Sequence, residues 1–468
     1  FLKTVTYNMI HLHTSNNLEY LALQLGNLLY QKKNNILVPH IIVVQSLGMQ
    51  RWISLQLAKQ FGVFLNCQFP FPENFAEEVY KAVIPDRELS PLYNYKNLVW
   101  IIMKLLPQCI DQEPFKPVER YLKRDGTISQ LRLYQLAQKL AYIYDEYLVY
   151  FYEDILSWEK EKSPSHWQIL LWRYIKNTIS TSPLVCHKGQ LLEEACSKLQ
   201  DTNFRKALKQ KFPEQIILFG ITTLPEYYVN LFQALSNIVH VHVFQLNPSK
   251  EFWFDIRDKK RLLHIQQKLK GKNITLEDLH YDIGNPLLAS LGKVGREYIG
   301  LLIENARDNI YGEQFEDYSQ HQTLLNFIKS DICNLTNRGV SADDRLPVKN
   351  DDRSITIHSC HSPLREVEVL RDYIFNILNS ADIIPNDIVV MAPDIDIYAP
   401  YIKAVFDEEV LKKQGLPPIP FSIADQSYKN TSRFISAFSD LLQVFASRLE
   451  VNVVCELLEY EEIFTTFG

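Results

Sequence analysis

Strand-like runs that alternate with amphipathic helices constrain this chain more than any other feature of its sequence. A short run at 10–13 precedes a helical pattern from Leu18, and Thr14-Ser15-Asn16 between them supplies helix-capping residues. The apolar run 40–44 precedes a second helical pattern, which Gly62 ends. Strand–helix–strand–helix order predicts βαβ units and therefore a parallel sheet.

Helical patterns replace this alternation between residues 92 and 210, and it then returns. Residues 215–220 and 239–246 are typical of buried strands, with a helix near 226–236 between them. We therefore predict one α/β domain in two parts, 9–91 and 211–340, interrupted by an all-helical domain at 92–210.

A polar, turn-rich stretch at about 336–353 predicts a linker. A second α/β domain is expected at 353–468, with strands at 354–358 and 387–391. Its helix begins at Ser362-Pro363, an N-cap followed by proline at the first helical position. The last residues close no obvious domain, so we expect this domain to be incomplete at its C-terminus. Residues 1–8, which precede Met9, read as an upstream extension.

Composition and motif content argue against chemistry by this chain. Only 15 of 468 residues are glycine, about half the usual share of roughly 7%, and no GxxxxGK[ST] phosphate loop is present. The net charge of −6 does not indicate a polyanion partner, so a nucleic-acid site must be a local groove. The cluster His358, Cys360 and His361 reads as structural rather than metal-binding, as do His11 and His13. We therefore expect no catalytic, cofactor or metal site.

Seven scattered cysteines form no CxxC pair, which favours a reducing, cytoplasmic compartment. No apolar stretch approaches the roughly 18 residues of a membrane-spanning helix, and no secretion signal opens the chain. We expect a cytoplasmic protein without a membrane partner.

Several segments, in order along the chain, resemble the RecC family, the gamma chains of exodeoxyribonuclease V (the RecBCD helicase–nuclease). The most specific are VQSLGMQRW at 44–52, FPFPENF at 69–75, FGITTLP at 219–225, GNPLLASLGK at 284–293 and HSPLREVEVL at 361–370. The resemblance implies a superfamily-1 helicase-like core with P-loop-NTPase-like parallel sheets. Domain 1A would be split at 9–91 and 211–340, the helical domain 1B would be inserted at 92–210, and domain 2A would follow from 353.

The resemblance also implies that the nucleotide site of this core has degenerated. Residues 13–17 (HTSNN) stand where a working relative carries a glycine-rich phosphate loop, and Phe219 stands where it carries a metal-binding Asp. Loss of that charge removes the means of stabilising phosphoryl transfer. ATP and Mg²⁺ are therefore expected only in partner subunits, and activity only from the ATP-dependent exodeoxyribonuclease and helicase complex.

By resemblance, the chain guides unwound DNA beside RecB (beta) and RecD (alpha), and scans the 3′-ended strand for a Chi-type sequence during recombinational repair of double-strand breaks. It would engage double-stranded ends and single-stranded DNA. Amide and guanidinium groups can read base edges, aromatic rings can stack on bases and lysine can hold a phosphate. The candidate DNA-binding residues are Gln45, Ser46, Leu47, Arg51, Phe71, Phe75, Glu77, Tyr142, Asp145, Glu146, Phe151 and Lys188.

Two questions stay open at the level of sequence. Leu47, Arg51, Glu77 and Phe151 depart from the familiar family pattern, which leaves the recognised DNA sequence undetermined. The alternative function is a scaffold that assembles the motor subunits and contacts DNA only incidentally. The aromatic candidates also have a structural alternative, in which rings such as Phe71 and Phe75 fill a core.

Overall fold

A computed structural model describes most of the chain. Its residues divide into two compact units, and the boundary along the chain lies between Asp352 and Arg353. The described residues are 9–31, 38–124, 126–161, 165–180, 182–254, 256, 284–306, 309–311, 314–320, 322–339, 343–380, 383–426, 432–446 and 451–460.

The described strands all lie in the first unit. They are β1 (Ile10–Ser15), β2 (His40–Val43), β3 (Cys67–Gln68), β4 (Glu88–Leu89), β5 (Lys123–Arg124), β6 (Thr127–Ile128), β7 (Val185–Cys186), β8 (Gln215–Phe219), β9 (His240–Leu246) and β10 (Ile310–Tyr311). One sheet has the order β10-β1-β9-β8-β2-β3, and every neighbouring pair in it is parallel. The prediction of a parallel sheet is confirmed, and the sheet joins strands from both sides of the helical segment.

The described helices of the first unit are α1 (Leu18–Gln31), α2 (Leu47–Phe61), α3 (Pro72–Val83), α4 (Tyr95–Cys109), α5 (Lys116–Leu122), α6 (Gln130–Tyr150), α7 (Tyr152–Lys160), α8 (Trp167–Ile179), α9 (Lys188–Gln200), α10 (Thr202–Lys209), α11 (Glu226–Leu235), α12 (Pro286–Leu291), α13 (Lys293–Ala306) and α14 (Leu324–Cys333). Residues 92–210 are mostly helical as expected, but the prediction of an all-helical segment is wrong: β5 pairs with β6 within it, and β7 pairs with β4, which precedes it.

Local chemistry explains where α1 and α2 begin and end. Ser46 caps α2 by accepting a hydrogen bond from the Met49 N–H at 3.1 Å. Gly62 ends α2 at a φ of +87°, which residues with a side chain rarely adopt. The cap of α1 lies one residue beyond the predicted capping stretch, because the Asn17 Oδ1 accepts from the N–H groups of Glu19 and Tyr20 at 2.9 and 3.2 Å.

Apolar side chains cover both faces of the sheet. On one face Leu12, Val43 and Ile216 pack with α3, α9 and α11, and on the other Ile42 and Ile217 pack with α1 and α2. The helical segment has a separate core, in which Trp172 and Tyr144 are almost fully buried. The segment is therefore held together by its own apolar burial.

The second unit is helical in its described part, with α15 (Pro363–Ser380), α16 (Ile395–Val405), α17 (Glu408–Lys413), α18 (Arg433–Ala446) and α19 (Val451–Leu458). The Ser362 hydroxyl caps the start of α15 as predicted. The predicted strands at 354–358 and 387–391 are wrong for this structure, since no strand occurs among the residues described after Arg353. Ile357 and Met391 are 92% and 90% exposed. A strand is stabilised by the neighbour that it pairs with, and β-favouring side chains do not replace that neighbour.

Across the described ranges, no helix is both apolar enough and long enough to cross a bilayer.

Candidate nucleic-acid interface

Segments that follow β2, β3 and β8 lie side by side where these parallel strands end, and we call this surface the carboxyl edge (residues 44–51, 69–72 and 220–225). The Val44 N–H donates to the Pro70 carbonyl at 3.2 Å. The Gln45 Oε1 accepts from the Thr222 N–H at 3.1 Å and from its hydroxyl at 2.9 Å. Ligands of open parallel sheets bind outside the carboxyl ends of the strands. Three loops that are distant in sequence thus form one candidate binding surface.

The turn after β2 presents four of the candidate residues to solvent. Gln45, Ser46, Leu47 and Arg51 are all exposed, and Leu47 is 69% exposed. The connection between β2 and α2 is short, because β2 ends at Val43 and α2 already begins at Leu47. Leu47 and Arg51 are four residues apart on α2 and therefore lie on the same face of the helix.

Phe71 and Phe75 have different environments. Phe71 is half-buried at the N-cap of α3 and packs beside the core of the α1–α2 face. Phe75 is 1% exposed and stacks on Phe232, with ring centroids 5.6 Å apart and an interplanar angle of 3°. The structural alternative holds for Phe75. Its ring lies in the core, so neither of its faces is accessible to a base.

An acidic cluster surrounds Lys188 next to the start of α3. The Lys188 ammonium lies 2.7 Å from the Glu73 carboxylate. Burial raises the pKa of the half-buried Asp145; the carboxylates of Glu73 and Glu146 act in the same direction, and the charge of Lys188 opposes them. Burial also raises the pKa of Tyr228, and Glu73, Asp145 and Glu77 add to the effect. Lys188 therefore contacts Glu73 of α3, and Asp145 lies close enough to both for their charges to influence its pKa.

Acidic groups outnumber cations in this cluster, which determines what it can bind. Carboxylates repel phosphate but accept hydrogen bonds from exocyclic amino groups such as N4 of cytosine. The cluster is therefore suited to base edges rather than to the backbone of a nucleic acid.

The C-terminal half of α6 and the next residue, Phe151, carry exposed rings as well as buried ones. Tyr142 and Phe151 are 52% and 54% exposed, whereas Tyr144 is 1% exposed and belongs to the helical core. Glu146 is half-buried. Phe151 meets Tyr147 edge-to-face, with centroids 5.5 Å apart, which fixes the ring without covering it.

A buried polar network positions Lys188. His187 is the N-cap of α9, its side chain is fully buried, and its Nε2 lies 2.8 Å from the Glu159 Oε1. Glu159 also accepts from the indole N–H of Trp172 at 3.1 Å and pairs with Lys176. Burial raises the pKa of Glu159, but the hydrogen bonds and charges of His187 and Lys176 outweigh it, so the pKa lies below its ordinary value.

Gln314 and Glu316 form hydrogen bonds with the residues at the N-terminus of α1. The Asn17 side-chain amide donates to the Glu316 carboxylate at 2.9 Å, and Asn16 exchanges hydrogen bonds with the Glu316 backbone at 2.7 and 3.0 Å. The Ser15 hydroxyl donates to the Gln314 carbonyl at 2.6 Å. Phe219, at the end of β8, is fully buried.

Histidines of the sheet pair with one another. His11 and His13 lie within hydrogen-bond distance of His240 and His242, at 3.0 and 3.1 Å. Within the described ranges, no three His, Cys, Asp or Glu side chains are arranged to hold a metal ion.

Sequence reasoning missed two contributors, Thr222 and Glu73. Thr222 follows β8. Because parallel strands that pair end at the same edge of the sheet, pairing of β8 with β2 would have placed Thr222 near Gln45. Glu73 lies 115 residues from Lys188, and no local pattern links them.

Comparisons with known proteins agree on one family. The RecC N-terminal domain family matches residues 10–335. The RecBCD enzyme subunit RecC of Haemophilus influenzae is 31% identical, with 90% of this chain and 41% of that protein covered. For the same subunit of Escherichia coli K12 the identity is 30%, with 98% and 43% covered. For that of Mycolicibacterium smegmatis it is 27%, with 98% and 41% covered. The chain thus spans about two fifths of the length of these relatives.

Proposed function

Because this chain belongs to the RecC family, through its N-terminal domain, we propose that it is a non-catalytic DNA-processing subunit of a RecBCD complex. It guides unwound DNA beside RecB and RecD and inspects the 3′-ended single strand for a Chi-type sequence. In this way it supports recombinational repair of double-strand breaks in the bacterial cytoplasm.

The observation that carries this proposal is the convergence at the carboxyl edge. Gln45, Leu47 and Arg51 face solvent beside the loop of Phe71, and α3 connects that loop to Glu73, Lys188 and Asp145. Amide, guanidinium and carboxylate groups are the side chains that read base edges. Exposed Tyr142 and Phe151 add rings that can stack on unpaired bases. Leu47, Arg51, Glu77 and Phe151 set which sequence is read.

The chain itself is proposed to neither bind nor hydrolyse ATP. A phosphate-binding helix N-terminus must offer free N–H groups to the anion. At α1 the Asn17 side chain takes two of them, and the Glu316 carboxylate, itself an anion, is hydrogen-bonded to that side chain. ATP and Mg²⁺ then act only in the partner subunits. A titration of the isolated protein with ATP and Mg²⁺ should show no binding, and micromolar affinity would contradict this part of the proposal.

The test of the DNA role is fluorescence anisotropy of a labelled single-stranded end, alone and in the assembled complex. Gln45→Ala with Arg51→Ala should weaken binding by about 1–3 kcal/mol for each bidentate pair of hydrogen bonds to a base that the substitutions remove. Gln200→Ala with Lys209→Ala, which changes one exposed amide and one exposed cation on α9 and α10, is the matched control.

Intact DNA affinity, unwinding and sequence response in the Gln45 and Arg51 variant would favour the assembly scaffold over the reader. Indifference of the complex to DNA ends at low salt would remove both the guiding and the scanning role, since phosphate contacts are strongest there.

A further inference from the structure

A second cluster of exposed rings lies outside the candidate residues, on the helical segment. Trp100 of α4 is 63% exposed, and its ring centroid lies 6.1 Å from that of Tyr134 of α6, which is 36% exposed. The Gln138 amide donates to the Tyr134 hydroxyl at 2.8 Å and orients that ring. Exposed aromatic rings are the side chains on which unpaired bases stack.

Cations accompany these rings. Lys96 and Lys104 flank Trp100 at four-residue spacing on α4, and the Lys139 ammonium lies 5.5 Å from the Tyr142 ring centroid. Residues 95–142 contain eight Lys and Arg but only four Asp and Glu, whereas the whole chain has 49 and 55. Within the described part of this segment, ion pairs occupy only Lys116 and Lys123.

The surface continues from the candidate interface. Tyr142 of the candidate interface lies on α6 between Tyr134 and Asp145, and the eight residues from Tyr134 to Tyr142 span about 12 Å of helix. The cluster around Lys188 is acidic and suits bases, so a nucleic acid bound there needs its phosphates neutralised elsewhere. Rings interleaved with cations that form no ion pair in the described structure supply that chemistry.

We propose that Trp100, Lys104, Tyr134 and Lys139, here called the α4–α6 surface, form a second binding site for single-stranded nucleic acid. It holds the part of the strand that flanks the bases read at the carboxyl edge. The inference rests on the proposed function, since it takes the same strand as ligand. It assigns the sequence-independent part of binding to α4 and α6 and base reading to the carboxyl edge.

The experiment uses the intact protein, alone and in its complex, with labelled oligothymidylates about 8 and about 30 nucleotides long. Trp100→Ala with Tyr134→Ala should weaken binding of both strands about five- to a hundred-fold, because the α4–α6 surface holds the strand independently of its base sequence. Lys104→Ala with Lys139→Ala should flatten the salt dependence. Trp100→Phe, which keeps a ring, should retain most of the affinity.

The matched control is Phe204→Ala, a 49% exposed ring on α10. Urea unfolding verifies that each variant is folded. If the α4–α6 variants bind the long strand normally while Gln45→Ala with Arg51→Ala does not, the inference fails and the proposed function stands. If neither set weakens binding, both fail. If the α4–α6 variants keep DNA affinity but lose the partner subunits, the surface docks protein and the inference is overturned.

Discussion

Replacing Glu159 with Ala should destabilise the first unit more than any change to a surface ion pair. The Glu159 side chain is 7% exposed and accepts hydrogen bonds or charge from His187, Trp172, Gln190 and Lys176. Truncation leaves these donors buried around a void, and removing one member of a buried ionic network costs about 3–5 kcal/mol. Glu159→Gln keeps the shape and one acceptor oxygen, so about 1–3 kcal/mol is expected.

Urea unfolding followed by tryptophan fluorescence measures these values, because Trp172 lies in the same core. The control is Glu113→Ala. Glu113 pairs with Lys116, but their side chains are 78% and 55% exposed, so the loss should stay below about 1 kcal/mol. If Glu159→Ala costs no more than Glu113→Ala, the network does not hold α7, α8 and α9 together, and the proposed positioning of Lys188 by that network is refuted.

Three further predictions concern individual side chains. Phe75→Ala should cost about 3–5 kcal/mol in urea unfolding, because the ring fills the core against Phe232; a drop in DNA affinity without a drop in stability would contradict its burial. Glu73→Gln should raise single-strand affinity a few-fold, because it removes a carboxylate that repels phosphate and releases Lys188, and adding Lys188→Ala to that variant should then lower its salt slope by about 0.7; a lower affinity of Glu73→Gln would show that the pair is needed intact. Burial and the nearby His11 lower the pKa of His13 to about 4 in the folded protein. As the pH falls below 6.5, the unfolded chain therefore binds a proton at His13 before the folded chain does, and the free energy of unfolding should fall by about 2 kcal/mol between pH 7 and pH 5. His13→Gln should remove that fall when unfolding curves are measured at both pH values.

Sequence reasoning predicts the sheet well because local information is sufficient there. The five residues of β8 are all buried, and four of them, 216–219, form the apolar run that predicts a buried strand. Gly62 ends α2 where a residue without a side chain is favoured. The strands predicted at 354–358 and 387–391 show the limit. A strand depends on a neighbour, and the sequence of the strand does not say whether that neighbour is present.

Sequence reasoning has the same limit at the candidate interface. The resemblance predicts Gln45 and Arg51 as candidate residues, and the structure shows that both are exposed where β2 ends. The burial of Phe75 and the pairing of Lys188 with Glu73 could not be predicted, since both depend on how α3 packs against α9 and α11. The helical pattern of the sequence predicts which face of α3 is apolar, but it does not predict which helices pack against that face.

The segments that follow β1 differ in chemistry from those that follow β2, and this difference bears on which ligands each region can bind. Beyond β1, residues 314–316 occupy the start of α1, and the carboxylate of Glu316 stands where an anion would otherwise bind. Beyond β2, by contrast, Gln45, Leu47 and Arg51 remain exposed. Two strands, β9 and β8, separate β1 from β2 in the sheet. A strand of nucleic acid can therefore approach the β2 side without competing with the contacts that close the β1 side. The proposed binding of nucleic acid on the β2 side therefore does not depend on ATP binding on the β1 side.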